Sequence, residues 1–439
     1  MVDLANLQFS KNLVDMQTGL ISREIFVDED IYQLEQEKVF ARSWLFIGHE
    51  SQIAKPGDFF VSRMGEESVI LTRDRAGEIH VFLNTCRHRG MKVCRYDEGN
   101  TPVFTCPYHG WSYAMDGKLV GVPHYKAYYH EELDKDDWGL VEVPQMTNYK
   151  GWIFANWDPK APSFLDYLGD MKLYLDLTID PPDGSDGGME VFGGVHKWIM
   201  PCNWKFSAEN FAGDFYHGVS HRSVDLVGIS PSGQRGRHTG DNVRTPRVLV
   251  NVSSNGQSGI GSLETEEDSP YVPSYHTAPP IVEEYFRHAH EERRKRLGDQ
   301  ARINGSVGTV FPNFSLSSGR SVAVWHPGGS ASKTEAWRWY LIPKDAPQEV
   351  RDMLRHYGMR YAGAAGLTEQ DDMENWNYAS LASKGTIARR YPYNYQMGMG
   401  YEKTSGRRPW MVTNSLVTEG VTEQNQRGLY KRWAELMDA

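Results

Sequence analysis

The stretch Cys86-Arg-His88, followed after 17 intervening residues by Cys106-Pro-Tyr-His109 and then Gly110-Trp-Ser-Tyr, decides the fold of this chain. Each pair sets a thiolate and an imidazole on one short loop. Two such loops closing on each other offer two sulfur and two nitrogen ligands. Zinc accepts that set. So does a [2Fe-2S] cluster in which two histidines replace two cysteines on one iron. Only four cysteines occur in 439 residues, three of them between positions 86 and 106, too few and too clustered for a disulfide-stapled domain.

Outward from this motif the pattern is β. Asp58-Phe-Phe-Val-Ser-Arg, Ser68-Val-Ile-Leu-Thr-Arg and Glu78-Ile-His-Val-Phe-Leu are short β-branched and aromatic runs separated by turn residues, and a last such run ends at Trp157 before Asp158-Pro-Lys-Ala-Pro. A helix is expected to begin near Asp28 and to carry Ile31, Leu34 and Ala41 on one side. Beyond the Pro-rich linker, helices are expected over 164–175, 208–221, 348–361 and 369–383, and strands over 310–316, 322–326 and 335–342. Strands and helices are segregated, which makes the fold class α+β. The expected division is an N-terminal helical segment over 1–43 that packs on the catalytic domain, an antiparallel β domain over 44–158 and an α+β domain over 159–439. Between 224 and 263 the chain is dense in Gly, Ser and Asn, which reads as a connection or an active-site lid.

A net charge of −10 lacks the basic footprint of a nucleic-acid binder, and no run approaches the ~18 apolar residues that span a bilayer. The N-terminus has no apolar core of the secretory kind, so a cytoplasmic location is expected. Neither a Gly-x-Gly-x-x-Gly fingerprint after a strand nor a phosphate-binding loop is visible.

The second constellation is Asn203-Trp-Lys-Phe-Ser-Ala-Glu-Asn210-Phe211-Ala-Gly-Asp214-Phe-Tyr-His217-Gly218-Val-Ser-His221. On a helix Asp214, His217 and His221 share one face. Far along the chain, Thr368-Glu-Gln-Asp371-Asp372 opens another expected helix, with Thr368 and Asp371 able to form a capping box. A carboxylate from it can either complement a helix N-terminus or complete a two-histidine, one-carboxylate triad with open positions for oxygen chemistry on Fe(II).

Cys-x-His with Cys-x-x-His resembles the Rieske arrangement, and the two constellations together resemble the large (α) subunit of Rieske non-haem iron ring-hydroxylating dioxygenases, a likeness that runs over nearly the whole chain. The resemblance implies a Rieske domain followed by a catalytic domain of helix-grip type, with an antiparallel sheet and helices on it. It implies that Cys86, His88, Cys106 and His109 hold the [2Fe-2S] cluster, while His217, His221 and Asp372 hold the mononuclear Fe(II), with Asp371 the competing acid. Asp214 would link His217 to His109 of the partner subunit. Cys94, without a partner histidine, reads as a small buried hydrophobe. The implied partners are a small β subunit in an α3β3 hexamer, a ferredoxin and an NADH-dependent reductase, with O2 and an aromatic substrate. Arg87, Arg89, Lys92 and Arg95 give the first cluster loop a basic tip suited to an acidic ferredoxin.

Asn210, Phe211, Gly218, Ala362, Leu367 and Thr368 are the implied substrate pocket. Ala362 and Thr368 stand where naphthalene-type relatives tend to carry bulky aromatics, so the pocket is expected to admit polycyclic arenes. The absence of Arg and Lys from 209–221 and 368–376 disfavours benzoate-type substrates. A Rieske monooxygenase or demethylase shares both metal sites, and a Rieske electron carrier would need only the first ~160 residues; labelled O2 separates the two oxygenase outcomes.

Overall fold

In the computed structural model, residues 8–227, 248–263, 278–317, 320–404 and 416–439 are described. The chain forms two compact units, Phe40–Phe164 and a second built from Met1–Val39 with Leu165–Ala439.

The strands of the first unit all pair antiparallel, with one short helix, Tyr125–Tyr128, and a few 3-10 turns between them. Its four-stranded sheet runs Ile79–Leu83, Glu67–Arg73, Asp58–Met64, Glu98–Asn100, and two three-stranded sheets complete it. One joins Leu119–Gly121, Ser112–Ala114 and Val103–Thr105; the other joins Gln145–Tyr149, Trp152–Asn156 and Leu45–His49. Cys86, Cys94, Cys106 and Trp111 belong to one buried apolar cluster with Phe59, Phe82 and Tyr113.

The second unit is organised on a ten-stranded antiparallel sheet whose longest member, Lys333–Pro343, pairs with Ser321–Ser330 on one side and with Met189–Val191 and His196–Met200 on the other. Helices Trp204–Phe211, Glu369–Ser383 and Gln424–Asp438 accompany this sheet. Helix Glu29–Lys38 is capped by Asp28, whose carboxylate accepts from the amides of Asp30 and Ile31 at 3.0 and 3.1 Å. It stops at Lys38, so Ala41 lies in a separate 3-10 turn.

Helices Gln348–Tyr361 and Glu369–Ser383 occupy the expected spans. Several other expectations are corrected. The strand expected over 310–316 is two strands, Ile303–Val310 and Phe314–Ser317, joined by a tight turn at Phe311-Pro312-Asn313. The Gly- and Ser-rich stretch ending at 263 is not a lid over 248–263: Val248–Ser254 and Gln257–Leu263 are a hairpin inside the sheet, turning at Asn255-Gly256 with positive φ at both. Small residues are needed there because a helix packs close: a Cβ on Gly259 would lie 2.8 Å from the Tyr174 ring. The part of the lid expectation over 228–247 lies outside the described residues. Thr368 makes no capping box; its backbone is helical and its hydroxyl donates to the carbonyl of Tyr361 at 2.9 Å.

The expected continuous helix over 208–221 is likewise broken. Trp204–Phe211 ends, and a 3-10 turn, Tyr216–His221, follows. Gly213 makes the break, with φ of +138°, and a Cβ there would meet Asn425 Nδ2 at 2.7 Å and Ile260 Cγ2 at 2.9 Å.

Helix Glu29–Lys38 is tied to the catalytic unit by a fully buried hub. The Glu35 carboxylate pairs with Lys205 Nζ and accepts from the indoles of Trp204 at 2.9 Å and Trp433 at 2.8 Å. Burial lowers the pKa of Lys205, and the Glu35 charge opposes that shift. Removing one partner strands the other charge in an apolar interior. Glu35→Gln is therefore expected to destabilise the chain by about 3–5 kcal/mol, read as a lowered urea midpoint, and the double change Glu35→Leu with Lys205→Met should recover a large part of the loss.

Candidate functional site: a cluster loop pair and a three-ligand iron site

The two cysteine loops are copies of each other. The Cys86 amide donates to Met91 O at 2.8 Å and the Gly90 amide to Cys86 O at 2.9 Å; the Cys106 amide donates to Trp111 O at 2.8 Å and the Gly110 amide to Cys106 O at 3.0 Å. Gly90 and Gly110 take positive φ to close these turns. This local repeat escapes notice in the sequence because the spacing from Cys to His differs between the loops.

His88 stacks on Trp111 with centroids 5.0 Å apart, and its ring lies 4.6 Å from that of His109. His88 Nδ1 is buried with no hydrogen-bond partner, and His109 Nε2 accepts from Arg89 at 2.8 Å, which leaves Nδ1 of His109 for another bond. Burial, with the neighbouring Cys86 thiol adding to it, pushes the Cys106 thiol up, so thiolates here require a cationic centre. Among the described residues, one set of three or more potential ligands has all its atoms within 4.8 Å of one another, and it is not this one. Four donors that do not converge on a point do not suit one tetrahedral zinc; the orphaned Nδ1 and the two thiols suit a two-iron cluster.

Cys94 is buried, with its thiol on Tyr96 O at 3.5 Å and its backbone bracketed by Asn84. Burial raises its pKa, and raises that of Cys202 to about 12. Arg87 and Arg89 are only partly free as a basic tip, since Arg87 donates to Gly139 O at 3.1 Å and Arg89 is held by His109.

The converging set is His217, His221 and Asp372. Nε2 of His217 and Nε2 of His221 are 3.2 Å apart, and Asp372 Oδ1 is 3.4 Å from each. Donors bound at about 2.1 Å to one ion lie about 3.0–3.4 Å apart, so the spacing fits a divalent metal. Asp372 Oδ1 is buried and accepts no hydrogen bond within the protein. Burial raises the Asp372 carboxyl to about 7, with the His217 charge opposing and the Glu369 charge adding.

The break at Gly213 aims these histidines. Asp214 Oδ1 accepts from the amides of Tyr216 at 2.9 Å and His217 at 3.2 Å, capping the turn, and His217 Nδ1 donates to the Asp214 carbonyl, which leaves Nε2 as the ligand atom. Burial lowers the pKa of His217, but Asp214 and Asp372 outweigh it and hold it at about 9. The same hydrogen bonds keep the Asp214 carboxyl low in spite of burial. Asp371 takes another place: its Oδ2 lies 3.3 Å from Nδ1 of His221, on the side of the ring away from the convergence point.

Of the expected pocket residues, Asn210 accepts the Asp214 amide at 3.0 Å, Phe211 packs on Trp325 with centroids 5.4 Å apart, and Gly218 sits between the two histidines. Ala362, Leu367 and Thr368 are half-buried in the connection leading to helix Glu369–Ser383.

Sequence reasoning missed Arg338 and Glu209. Arg338 comes from the long strand to within 5.6 Å of the Phe211 ring, and pairs with Glu369 at 2.6 Å. The absence of cations from the iron motifs therefore does not describe the folded site. Glu209, one helical position before Asn210, accepts from the phenols of Tyr395 at 2.6 Å and Tyr430.

Two family descriptions match this chain: the Rieske [2Fe-2S] domain over residues 43–145 and the ring-hydroxylating alpha subunit catalytic domain over residues 169–439. The chain belongs to the α subunits of aromatic ring-hydroxylating dioxygenases, oxidoreductases that carry a Rieske [2Fe-2S] cluster and a mononuclear non-haem iron. It is 37% identical to the biphenyl dioxygenase subunit alpha of Paraburkholderia xenovorans (strain LB400) over 97% of this chain and 93% of that one. It is 35% identical to the large oxygenase component of the Pseudomonas aeruginosa naphthalene 1,2-dioxygenase system, covering 98% and 96%. Among solved structures, a mutant naphthalene 1,2-dioxygenase bound to phenanthrene superposes with a TM-score of 0.87 at 32% identity, covering 100% and 96%. Among the described residues no helix is long and apolar enough to cross a membrane.

Burial lifts Glu209 to about 8 against the hydrogen bonds from Tyr395 and Tyr430. Between its ordinary value and about 8 the folded chain holds a proton that the unfolded chain has released, so this group's contribution to stability falls as pH rises through that window, by at most about 1.4 kcal/mol per pH unit. Glu209→Gln cannot titrate. Its urea midpoint relative to wild type is expected to rise from about pH 5 to about pH 8, and parallel pH profiles would refute the assignment.

Proposed function

We propose that this subunit cis-dihydroxylates hydrophobic, polycyclic arenes, with Cys86, His88, Cys106 and His109 holding the cluster and His217, His221 and Asp372 the catalytic iron. The observation that carries the reading is the convergence of two imidazole Nε2 atoms and the unpartnered Asp372 oxygen on one point. When bound, the iron supplies an open site for O2 reduction. The chain's own residues do the rest. Asp214 fixes the tautomer and direction of His217, and Asp371 does so for His221. The apolar wall of Phe211, Trp325 and Trp376 favours a planar ring and keeps water away.

The Asp214 side chain is 33% exposed, and we assign it the link to His109 of the partner subunit, where it would take the place on Nε2 that Arg89 holds in the single chain. Electrons come from an NADH-dependent reductase through a ferredoxin, for which exposed Lys92 and Arg95 beside exposed Tyr96 offer a docking edge. A small β subunit in an α3β3 hexamer completes the oxygenase. The half-buried Ala362 and Thr368, in place of aromatic side chains, support acceptance of rings the size of phenanthrene. The biphenyl and naphthalene dioxygenases among the relatives support the same class.

Turnover of phenanthrene to a diol carrying two labelled oxygens from O2 is the expected result; turnover of benzoate but not phenanthrene, or one labelled oxygen in a phenol, would refute it. Cys106→Ser should abolish the cluster's visible absorption while mononuclear iron is retained. Asp372→Ala should lose mononuclear iron and keep the cluster; iron retained there would transfer the role to Asp371. Asp214→Asn should keep both centres and lose nearly all turnover, with cluster oxidation by O2 slowed in a single-turnover experiment.

A further inference from the structure

The outer edge of one proposed cluster ligand is already occupied in the single chain. Nη2 of Arg89, on the first cysteine loop, donates to Nε2 of His109, on the second, at 2.8 Å. The guanidinium carbon stands 5.5 Å from the ring centre of Tyr108, whose ring lies 3.8 Å from that of His109. Arg89 and Tyr108 are both exposed. Arg87, two residues earlier, is instead held within its own unit by Gly139 O and the Trp138 ring. Among the described residues no carboxylate pairs with Arg89.

Asp214, on the iron-site turn, has acceptor capacity left over. Its Oδ1 takes the amides of Tyr216 and His217, while its Oδ2 lies 3.7 Å from His217 Nδ1, beyond hydrogen-bond length. One oxygen holds the turn, and the carboxylate keeps sites for donors outside it.

The link between Asp214 and His109 proposed above cannot coexist with the Arg89 bond. In the single chain Nε2 of His109 accepts from Arg89, whereas a carboxylate only accepts, so toward Asp214 the same nitrogen must donate. A guanidinium has no acceptor and keeps its charge, so it cannot stay opposite an N–H. Arg89 therefore has to leave Nε2 as the carboxylate arrives, and that carboxylate is the acceptor within its reach, because both groups seek one atom. Closing the contact also takes a carboxylate and a guanidinium out of water together. Left apart, each is an uncompensated charge; paired, they can meet through two charge-assisted bonds.

We propose that Arg89 is a positioning residue of the electron-transfer link: it holds Nε2 of His109 in the single chain, gives that atom up to Asp214 of the partner subunit on assembly, and pairs with the same carboxylate. The inference rests on the Asp214 link and adds to it a second contact across the same boundary.

The test uses the assembled oxygenase. Arg89→Gln should keep the cluster's visible and EPR spectra, slow oxidation of the reduced cluster in a single turnover by about tenfold or more, and weaken assembly on dilution by a similar factor. Arg89→Lys keeps the charge without the two-pronged geometry and should recover part of both losses. In a cycle with Asp214→Asn, the double variant should assemble no more weakly than Asp214→Asn alone. A wild-type oxidation rate in Arg89→Gln, or losses of assembly that multiply in the double variant, would overturn the exchange. Loss of the cluster spectra in Arg89→Gln would make the residue a support of its own loop and overturn it as well. Wild-type cluster oxidation in Asp214→Asn would remove the link itself, whereas slow oxidation there beside an unaltered Arg89→Gln keeps the link and removes only the role of Arg89.

Discussion

The catalytic half of this chain depends on a backbone that cannot stay helical. Helix Trp204–Phe211 is followed by Gly213 at φ +138°, a conformation L side chains rarely adopt, where the C-terminal helix comes too close for a Cβ. Asn425 holds the bend from the other side, its Nδ2 donating to Ala212 O at 2.8 Å and Gly259 O at 3.2 Å. After the bend the chain tightens into a 3-10 turn, capped by Asp214. In a regular α-helix, side chains four apart lie side by side on a surface. Here the rings cross at 78° and bring their Nε2 atoms to 3.2 Å. The glycines that make the segment a poor helix are therefore what make it a chelating one.

The two metal centres use the backbone differently. In the β unit each cysteine sits at the head of a turn whose amide and carbonyl are both spent on closing that turn, and the two turns repeat the same bonds. The proposed ligands are thus local, two to a loop. In the catalytic unit the third proposed ligand, Asp372, comes from a helix 151 residues beyond His221, and its place is set by packing of Glu369, Trp376, Ser380 and Ser383 into the core. Local construction suits a cluster whose sulfurs and nitrogens span two irons, and long-range construction suits one ion that must also border a substrate space.

This contrast explains how much was legible in the sequence. The cluster loops were, because ligand identity and spacing lie within 24 residues. Helices Gln348–Tyr361 and Glu369–Ser383 were, because each is a long periodic run. The helix through Asp214 was misjudged because Gly213 is explained by Asn425 and Ile260, residues that come near only in the fold. The strand over 310–316 was misjudged because its apolar run conceals a turn at Pro312. The hairpin at Asn255-Gly256 carried the Asn-Gly turn signal, but its strands are rich in Gly and Ser, since close helix packing and not side-chain bulk decides their composition. The approach of Arg338 to Phe211 was not legible at all, since strand register sets it, placing Arg338 opposite His196.

Glu35, Glu209, Glu369 and Asp372 are four acids held inside the catalytic unit, and their partners differ. Glu35 faces an ammonium and two indoles; Glu209 faces two phenols; Glu369 faces a guanidinium. Asp372 alone of the four has an oxygen turned only toward imidazole nitrogens that are themselves aimed at the same point. An ionised carboxylate held out of water is stable only against a positive charge, whether a proton or a metal. Burial holds Asp372 above its ordinary value, and the Asp214 and Asp372 carboxylates hold His217 above its own against burial. A divalent ion held by His217, His221 and Asp372 would serve all three donors at once.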